Sequence, residues 1–172
     1  DDDDDDGELG AEAERAAAAA KAETLKGLGN DKYKAGEYSE AVDLYTAAID
    51  TAPDAVPMYY TNRAAAHLMM KHYMSARDDC ERALALDPAS GKALLRLGKC
   101  YQQQGEWARA RTTFAKLLDA QPKNKTAHTE LATMARAEAA LQRAAAHRDA
   151  GRHAAALTEV ESVLNECERA KA

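Results

Sequence analysis

A repeat of about 34 residues limits how this chain can fold more than any other feature of its sequence. Small residues and prolines recur at separations of 35 and 34 residues; they are Ala41, Ala76 and Ala110, and Pro53, Pro88 and Pro122. A period of this length is typical of stacked helix pairs, which bury their apolar faces only against one another. The sequence therefore predicts an all-α solenoid of antiparallel helix pairs.

The small residues indicate where helices pack closely. Gly29, Ala64 and Gly98 fall in the first helix of successive pairs, and the recurring alanines fall in the second. Small side chains at such places let two helix axes approach, while large apolar side chains fill the remaining space. The predicted filling residues are Leu25, Leu28, Tyr45, Leu94, Leu97 and Phe114.

The period divides the chain into segments. Three repeats are predicted at 22–55, 57–90 and 91–123, with turns at Ala35–Tyr38, Lys71–Tyr73 and Gln104–Trp107. Residues 124–149 continue as one long capping or linking helix, Gly151 makes a turn, and 153–170 form another helix. We interpret 124–172 as this long helix plus a partial fourth repeat, which suggests a fragment of a longer protein.

Residues 1–21 form an acidic and alanine-rich N-terminal tail. Six aspartates open the chain, and such a like-charge block is usually solvated and disordered. The alternative is that the run Ala16–Ala20 extends the first helix, because alanine has the highest helix propensity. A further hypothesis is that the aspartates compete with an acidic ligand for cationic side chains.

Charge and hydropathy exclude several classes of function. The net charge of −6 arises from Asp1–Asp6, because the other 23 acidic residues balance 23 lysines and arginines. A nucleic-acid-binding protein would carry a basic excess, which is missing here. No apolar run approaches the roughly 18 residues of a membrane span. We therefore expect neither nucleic acid nor membrane as a partner.

Catalytic, cofactor and metal patterns are also missing from the sequence. Cys80, Cys100 and Cys167 are odd in number and have no CxxC spacing, so we interpret them as reduced packing residues of a cytosolic protein. The Gly27–Gly29 segment lacks the preceding strand and further glycines of a dinucleotide site. The sequence predicts no enzyme activity, no cofactor and no metal site.

Five polar residues suit the capture of an acidic peptide end. Lys26 and Asn30 are four residues apart, as are Lys92 and Arg96, so each pair shares one helical face. Asn62 belongs to a segment between them. All five fall on first helices, which line the concave face of such an array. Two amides and three cations there would form strong hydrogen bonds with carboxylates.

The repeat resembles the tetratricopeptide repeat, and the five residues resemble the carboxylate clamp of tetratricopeptide co-chaperones. Arg63, Lys32 and His67 depart from the usual residues of the repeat. The resemblance implies that Lys26 and Asn30, then Asn62, then Lys92 and Arg96, supply the clamp residues of the first, second and third repeats.

The implied partners are heat-shock proteins 70 and 90, whose chains end in Glu-Glu-Val-Asp. Apolar contacts to the valine and upstream residues are expected from Tyr33, Ala65 and Leu68, although core packing also explains Leu68. Residues 22–172 are most similar to the co-chaperone in which the repeats precede a J domain, but the sequence has no His-Pro-Asp tripeptide. The alternative function is a structural protein-interaction scaffold without specificity for chaperone tails. The expected location is the cytoplasm, with the nucleus as a second compartment.

Overall fold

The computed structural model describes the backbone of residues 3–169 and the side chains of residues 10–165. The described part of the chain contains eight α-helices and no strand, which confirms the all-α prediction. The helices are α1 (Asp3–Ala35), α2 (Tyr38–Thr51), α3 (Pro57–Met69), α4 (Tyr73–Leu86), α5 (Gly91–Gln103), α6 (Trp107–Ala120), α7 (Lys125–Asp149) and α8 (His153–Arg169). They divide into two compact units, one ending at Pro122 and one beginning at Lys123.

Consecutive helices pair in the first unit. α1 packs on α2, α3 on α4 and α5 on α6, and each pair also packs on the next through α2–α3 and α4–α5. The first helices are neighbours too, since α3 contacts both α1 and α5. This arrangement is the predicted helix-pair solenoid, and it brings the first helices of the three repeats side by side.

The turns inside the three pairs use the same left-handed backbone conformation. Gly36 has a φ of 82° and Gly105 a φ of 76°, and at the corresponding place in the second pair Lys71 has a φ of 61°. Left-handed backbone suits glycine, which has no Cβ to clash with the backbone. The second turn therefore holds a lysine in a conformation that disfavours it.

Small residues lie where the two helices of a pair cross, as predicted. A Cβ on Gly29 would be 2.7 Å from the Tyr45 ring, and a Cβ on Gly98 would be 2.5 Å from the Phe114 ring. Ala64 packs in one buried cluster with Cys80. One predicted filling residue is wrong: Leu28 is 50% exposed, because it lies at the edge of the α1–α2 contact, where it lines an open groove with Glu40 and Leu44.

The N-terminal segment is helical. α1 begins at Asp3, so the interpretation of residues 3–21 as a disordered tail is wrong, and the alternative in which the alanines extend the first helix is correct. Ala22 is fully buried, and Arg15 forms an exposed ion pair with Asp54 at 3.0 Å. The hypothesis that the aspartate side chains compete for cations concerns residues outside the described side chains.

The second unit is a helix pair formed by α7 and α8. The Asn124 side chain caps α7 by accepting a hydrogen bond from the backbone N–H of Ala127 at 3.0 Å. Ala140 and Ala144 are buried, and Arg143 donates two hydrogen bonds to Glu159 at 3.1 and 2.9 Å. The long helix predicted at 124–149 is therefore confirmed as α7.

Cys80 and Cys100 are buried free thiols, as expected of packing residues. Cys167 lies outside the described side chains. None of the helices in the described range combines the length and the apolar character that crossing a bilayer requires.

Candidate binding site

The five predicted site residues lie on three neighbouring helices of the first unit. Lys26 and Asn30 are on α1, Asn62 is on α3, and Lys92 and Arg96 are on α5. Because α3 packs against both α1 and α5, the fold places these residues along one row of helices. We call this set the five-residue site.

The two asparagines are in direct contact. Asn62 Nδ2 donates to Asn30 Oδ1 at 3.2 Å, and the hydroxyl of Tyr45 donates to the same oxygen at 2.9 Å. Tyr45 belongs to α2 and is 1% exposed. The sequence indicated Tyr45 only as a packing residue, and its hydroxyl was missed. The signal in the sequence is that a tyrosine, and not a phenylalanine, is the large residue that packs opposite Gly29, since a buried tyrosine hydroxyl needs a hydrogen-bond partner.

Arg96 supplies an unsatisfied donor. Its side chain is half-buried, and its Nη1 atom is buried without a hydrogen-bond partner in the described part of the chain. Burial raises the pKa of Tyr45, and the positive charge of Arg96 opposes that rise, so the guanidinium acts on the hydroxyl that bonds to Asn30. A buried donor without a partner costs free energy that an acceptor from a ligand would recover.

Lys26 is engaged inside the chain. Its Nζ atom contacts Glu23 Oε2 at 2.6 Å, and the hydroxyl of Tyr59 on α3 donates to Glu23 Oε1 at 2.7 Å. The hydrogen bond from Lys26, followed by that from Tyr59, lowers the pKa of Glu23. Sequence reasoning missed Glu23, although its position three residues before Lys26 on one helix favours such a pair. An acidic ligand at Lys26 must therefore compete with this carboxylate.

Lys92 is exposed and pairs with no carboxylate in the described part of the chain.

Of the predicted apolar contacts, Tyr33 is half-buried and packs edge-on against Tyr38, with ring centroids 5.4 Å apart. Ala65 is 8% exposed, and Leu68 is half-buried on α3. The structure thus brings the two asparagines and Tyr45 together, with the Arg96 charge acting on the same hydroxyl, and it holds Lys26 on Glu23.

The groups of this arrangement suit an anion. Asn30 Oδ1 already accepts two hydrogen bonds inside the protein, whereas Arg96 and Lys92 offer N–H donors with positive charge, which hydrogen-bond strongly to carboxylates. Within the described residues, no three histidines, cysteines or carboxylates are grouped as a metal site would require.

Fold and repeat geometry together define a helix-pair repeat protein. Two models of the tetratricopeptide repeat match the chain, one over residues 26–69 and one over residues 67–134. The chain belongs to the tetratricopeptide-repeat family.

Relatives with longer chains share this domain. Sperm-associated antigen 1 of Mus musculus is 39% identical over 111 residues, which are 64% of this chain and 12% of that protein. The DnaJ homolog subfamily C member 7 of Homo sapiens is 36% identical over 110 residues, which are 64% of this chain and 22% of that protein. The chain thus spans about an eighth and a fifth of these two relatives. The second match confirms the predicted resemblance to a J-domain co-chaperone with these repeats.

Solved structures of the family include complexes with peptides. The first tetratricopeptide-repeat domain of Spaghetti (RPAP3), bound to the HSP90 peptide SRMEEVD, is 35% identical with a TM-score of 0.67, and the match covers 70% of this chain and 95% of that one. The second such domain of human RPAP3, in complex with the HSP70 peptide SGPTIEEVD, is 33% identical with a TM-score of 0.65, covering 68% and 97%.

Proposed function

We propose that the chain is a co-chaperone adaptor domain that binds the C-terminal Glu-Glu-Val-Asp tails of heat-shock proteins 70 and 90 through the five-residue site. The observation that carries this proposal is the half-buried Arg96, which has an unpaired Nη1 atom and acts on the hydroxyl that bonds to Asn30. Similar domains were solved with peptides that end in this sequence.

The proposed mechanism is capture without chemistry on the ligand. A terminal aspartate presents two carboxylates, one from its side chain and one from the chain end. Lys92 and Arg96 supply charge, and the two asparagines supply directed N–H donors, which distinguish a peptide end from a simple anion. Lys26 joins when a ligand carboxylate replaces Glu23. Tyr33, Ala65 and Leu68 would contact the apolar part of the peptide.

The chain is an interaction module in this proposal, with no reaction to catalyse. We place it in the cytoplasm, and also in the nucleus when its partners are there, since the two described thiols that are buried are unpaired, as in a reducing compartment.

The test is a calorimetric titration with a heptapeptide ending in Glu-Glu-Val-Asp, once as the free acid and once as the C-terminal amide. Each hydrogen bond to a charged group contributes about 1.5–3 kcal/mol, so we expect the amide to bind roughly tenfold or more weakly. Lys92→Ala and Arg96→Ala should weaken binding of the free acid by a similar factor.

The matched controls are Lys116→Ala and Arg82→Ala, which remove exposed cations from second helices and should leave the affinity unchanged. A scaffold without tail specificity would bind the free acid and the amide alike, or neither, and that result would contradict the proposal.

A further inference from the structure

The hydroxyl of Tyr45 reaches the five-residue site from a helix that carries none of its residues. Tyr45 is on α2, it is 1% exposed, and its ring lies against Gly29 on α1, where a Cβ would be 2.7 Å from Cε1. The missing side chain of Gly29 therefore gives the ring room to pass α1. The hydroxyl then donates to Asn30 Oδ1 at 2.9 Å.

The contacts of Asn30 Oδ1 determine which way its amide group faces. A carboxamide oxygen has two lone pairs, and here one accepts from Tyr45 and the other from Asn62 Nδ2 at 3.2 Å. Rotating the Asn30 amide by half a turn would place its NH₂ group against the NH₂ group of Asn62 and would break the hydrogen bond that the Tyr45 hydroxyl donates. The Asn30 Nδ2 atom, which has no hydrogen-bond partner in the described range, is thus held on the opposite side.

We infer that Tyr45 is a positioning residue of the five-residue site: it orients the Asn30 amide, and through the shared oxygen the Asn62 amide, with N–H donors toward an acidic peptide end. This inference rests on the proposed function and deepens it. Tyr45 does not touch the ligand in this scheme; it acts through Asn30.

The state of the hydroxyl supports this role. Burial raises the pKa of Tyr45, which keeps the hydroxyl protonated and therefore a donor at neutral pH. The positive charge of Arg96 lowers the pKa of the same hydroxyl, in opposition to the effect of burial. A phenylalanine would pack equally well against Gly29 but would remove one of the two hydrogen bonds that hold the Asn30 amide.

Tyr45→Phe tests the inference, because it removes the hydroxyl and keeps the ring. A neutral hydrogen bond of this kind corresponds to about a fivefold change in an equilibrium, so we expect the free-acid peptide to bind about fivefold more weakly. The preference for the free acid over the amide should shrink as well. The control is Tyr101→Phe, which removes a half-buried hydroxyl that donates to Glu81 at 3.2 Å, and it should change neither quantity.

Repeating the Tyr45→Phe substitution in an Asn30→Ala variant distinguishes a positioning effect on Asn30 from general destabilisation of the fold. If Tyr45 acts through Asn30, Tyr45→Phe should cause no further loss in a protein that already carries Asn30→Ala. An equal loss in both backgrounds, or no loss in the wild-type background, would overturn the inference while leaving the proposed function intact. A wild-type protein that binds free acid and amide alike would overturn both.

Side-chain NMR gives a readout that does not depend on affinity. In the wild-type protein without peptide, we expect the Nδ2H₂ groups of Asn30 and Asn62 to have dispersed chemical shifts and restricted motion in ¹⁵N relaxation, as hydrogen-bonded side-chain amides do. In Tyr45→Phe these resonances should move toward the shifts of exposed asparagine side chains and their motion should increase, and in Tyr101→Phe they should stay in place. Unmoved resonances in Tyr45→Phe would contradict the inference.

Discussion

The guanidinium of Arg63 on α3 donates to both carboxylate oxygens of Asp79 on α4, from Nε at 2.9 Å and from Nη2 at 2.7 Å. Its Nη1 atom donates to Thr46 Oγ1 on α2 at 3.0 Å. One side chain therefore joins three helices across the boundary between the first two repeats. Since Arg63 directly follows Asn62, this ion pair also holds the segment of α3 that belongs to the five-residue site.

Removing one member of this ion pair should be costly. Asp79 is 5% exposed, so Asp79→Ala leaves the Arg63 charge partly buried without its partner, and we expect a loss of about 3–5 kcal/mol in the free energy of unfolding. The double variant Arg63→Met with Asp79→Leu should lose less than Asp79→Ala alone. Urea unfolding measures both.

Arg15→Ala is the control for that experiment. It breaks an ion pair whose side chains are 63% and 74% exposed, so its effect should stay within about 1 kcal/mol. A loss from Asp79→Ala as small as that from Arg15→Ala would contradict the assigned role.

Glycine at position 98 should be required for packing. A Cβ there would be 2.5 Å from Phe114 Cε1, so Gly98→Ala must displace a fully buried ring, and we expect it to lower the free energy of unfolding by about 1–3 kcal/mol. Gly27→Ala is the matched control, because a Cβ at that helical position meets nothing within 4 Å and should stabilise by up to about 1 kcal/mol. Equal effects of the two variants would refute the packing argument.

The turn between α3 and α4 should be improved by a glycine. Lys71 has a φ of 61°, where glycine fits and other residues are strained, so Lys71→Gly should raise the free energy of unfolding by up to about 1 kcal/mol. The reverse change at the corresponding turn, Gly105→Lys, should lower it. Thermal unfolding of both variants checks the sign, and a destabilised Lys71→Gly protein would show that the lysine side chain stabilises the turn in another way.

His67 should make stability depend on pH. Burial lowers its pKa, an effect that Asp79 opposes and that Arg63 and His72 reinforce. The unfolded chain then binds a proton more readily than the folded one, so stability is full above the ordinary histidine pKa of about 6.5 and falls as the pH is lowered from that value through the lower pKa of the folded protein. His67→Gln should flatten the pH profile of urea unfolding, and His153→Gln, at an exposed position, should not. The same slope in His67→Gln as in the wild-type protein would rule this out.

Glu23 should act as an internal competitor of the ligand. Glu23→Gln removes its charge and keeps an oxygen that can accept from Tyr59, so Lys26 becomes available. For a partly exposed ion pair we expect the free-acid peptide to bind about two- to fivefold more tightly. Glu12→Gln, on the exposed part of the same helix, is the control. Unchanged binding in Glu23→Gln would show that Lys26 contributes nothing to the site, provided that the wild-type protein binds the peptide.

The helix pairs were predictable because close helix crossings admit only small residues. The recurrence of such residues therefore gave the positions of Gly29 and Gly98 opposite Tyr45 and Phe114. Leu28 was misplaced because hydrophobicity alone does not say which way a helical residue points. The angular position of Leu28 around the axis of α1, measured from the inward-facing Gly29 and Ala22, would have indicated that it is exposed.

The internal contacts of the site were less predictable. Repeat geometry placed its residues on the first helices, but the Glu23–Lys26 pair and the hydroxyl of Tyr45 depend on side-chain rotamers. The conformation of the N-terminal segment depends on two opposing effects: repulsion among the aspartates disfavours a helix, and the high helix propensity of alanine favours one. In the structure helix formation prevails from Asp3 onward.

Because α1 is longer than α2, the two parts of α1 are protected from hydrogen exchange in different ways. At about 1.5 Å per residue, the 33 residues of α1 extend roughly 50 Å, against roughly 21 Å for the 14 residues of α2. No side chain from 10 to 21 is buried, whereas Ala22 is enclosed. Backbone amides before Ala22 are protected by local helix stability alone, and those after it also by packing. Deuterium uptake should therefore divide α1 near Ala22 into a fast-exchanging and a slow-exchanging half.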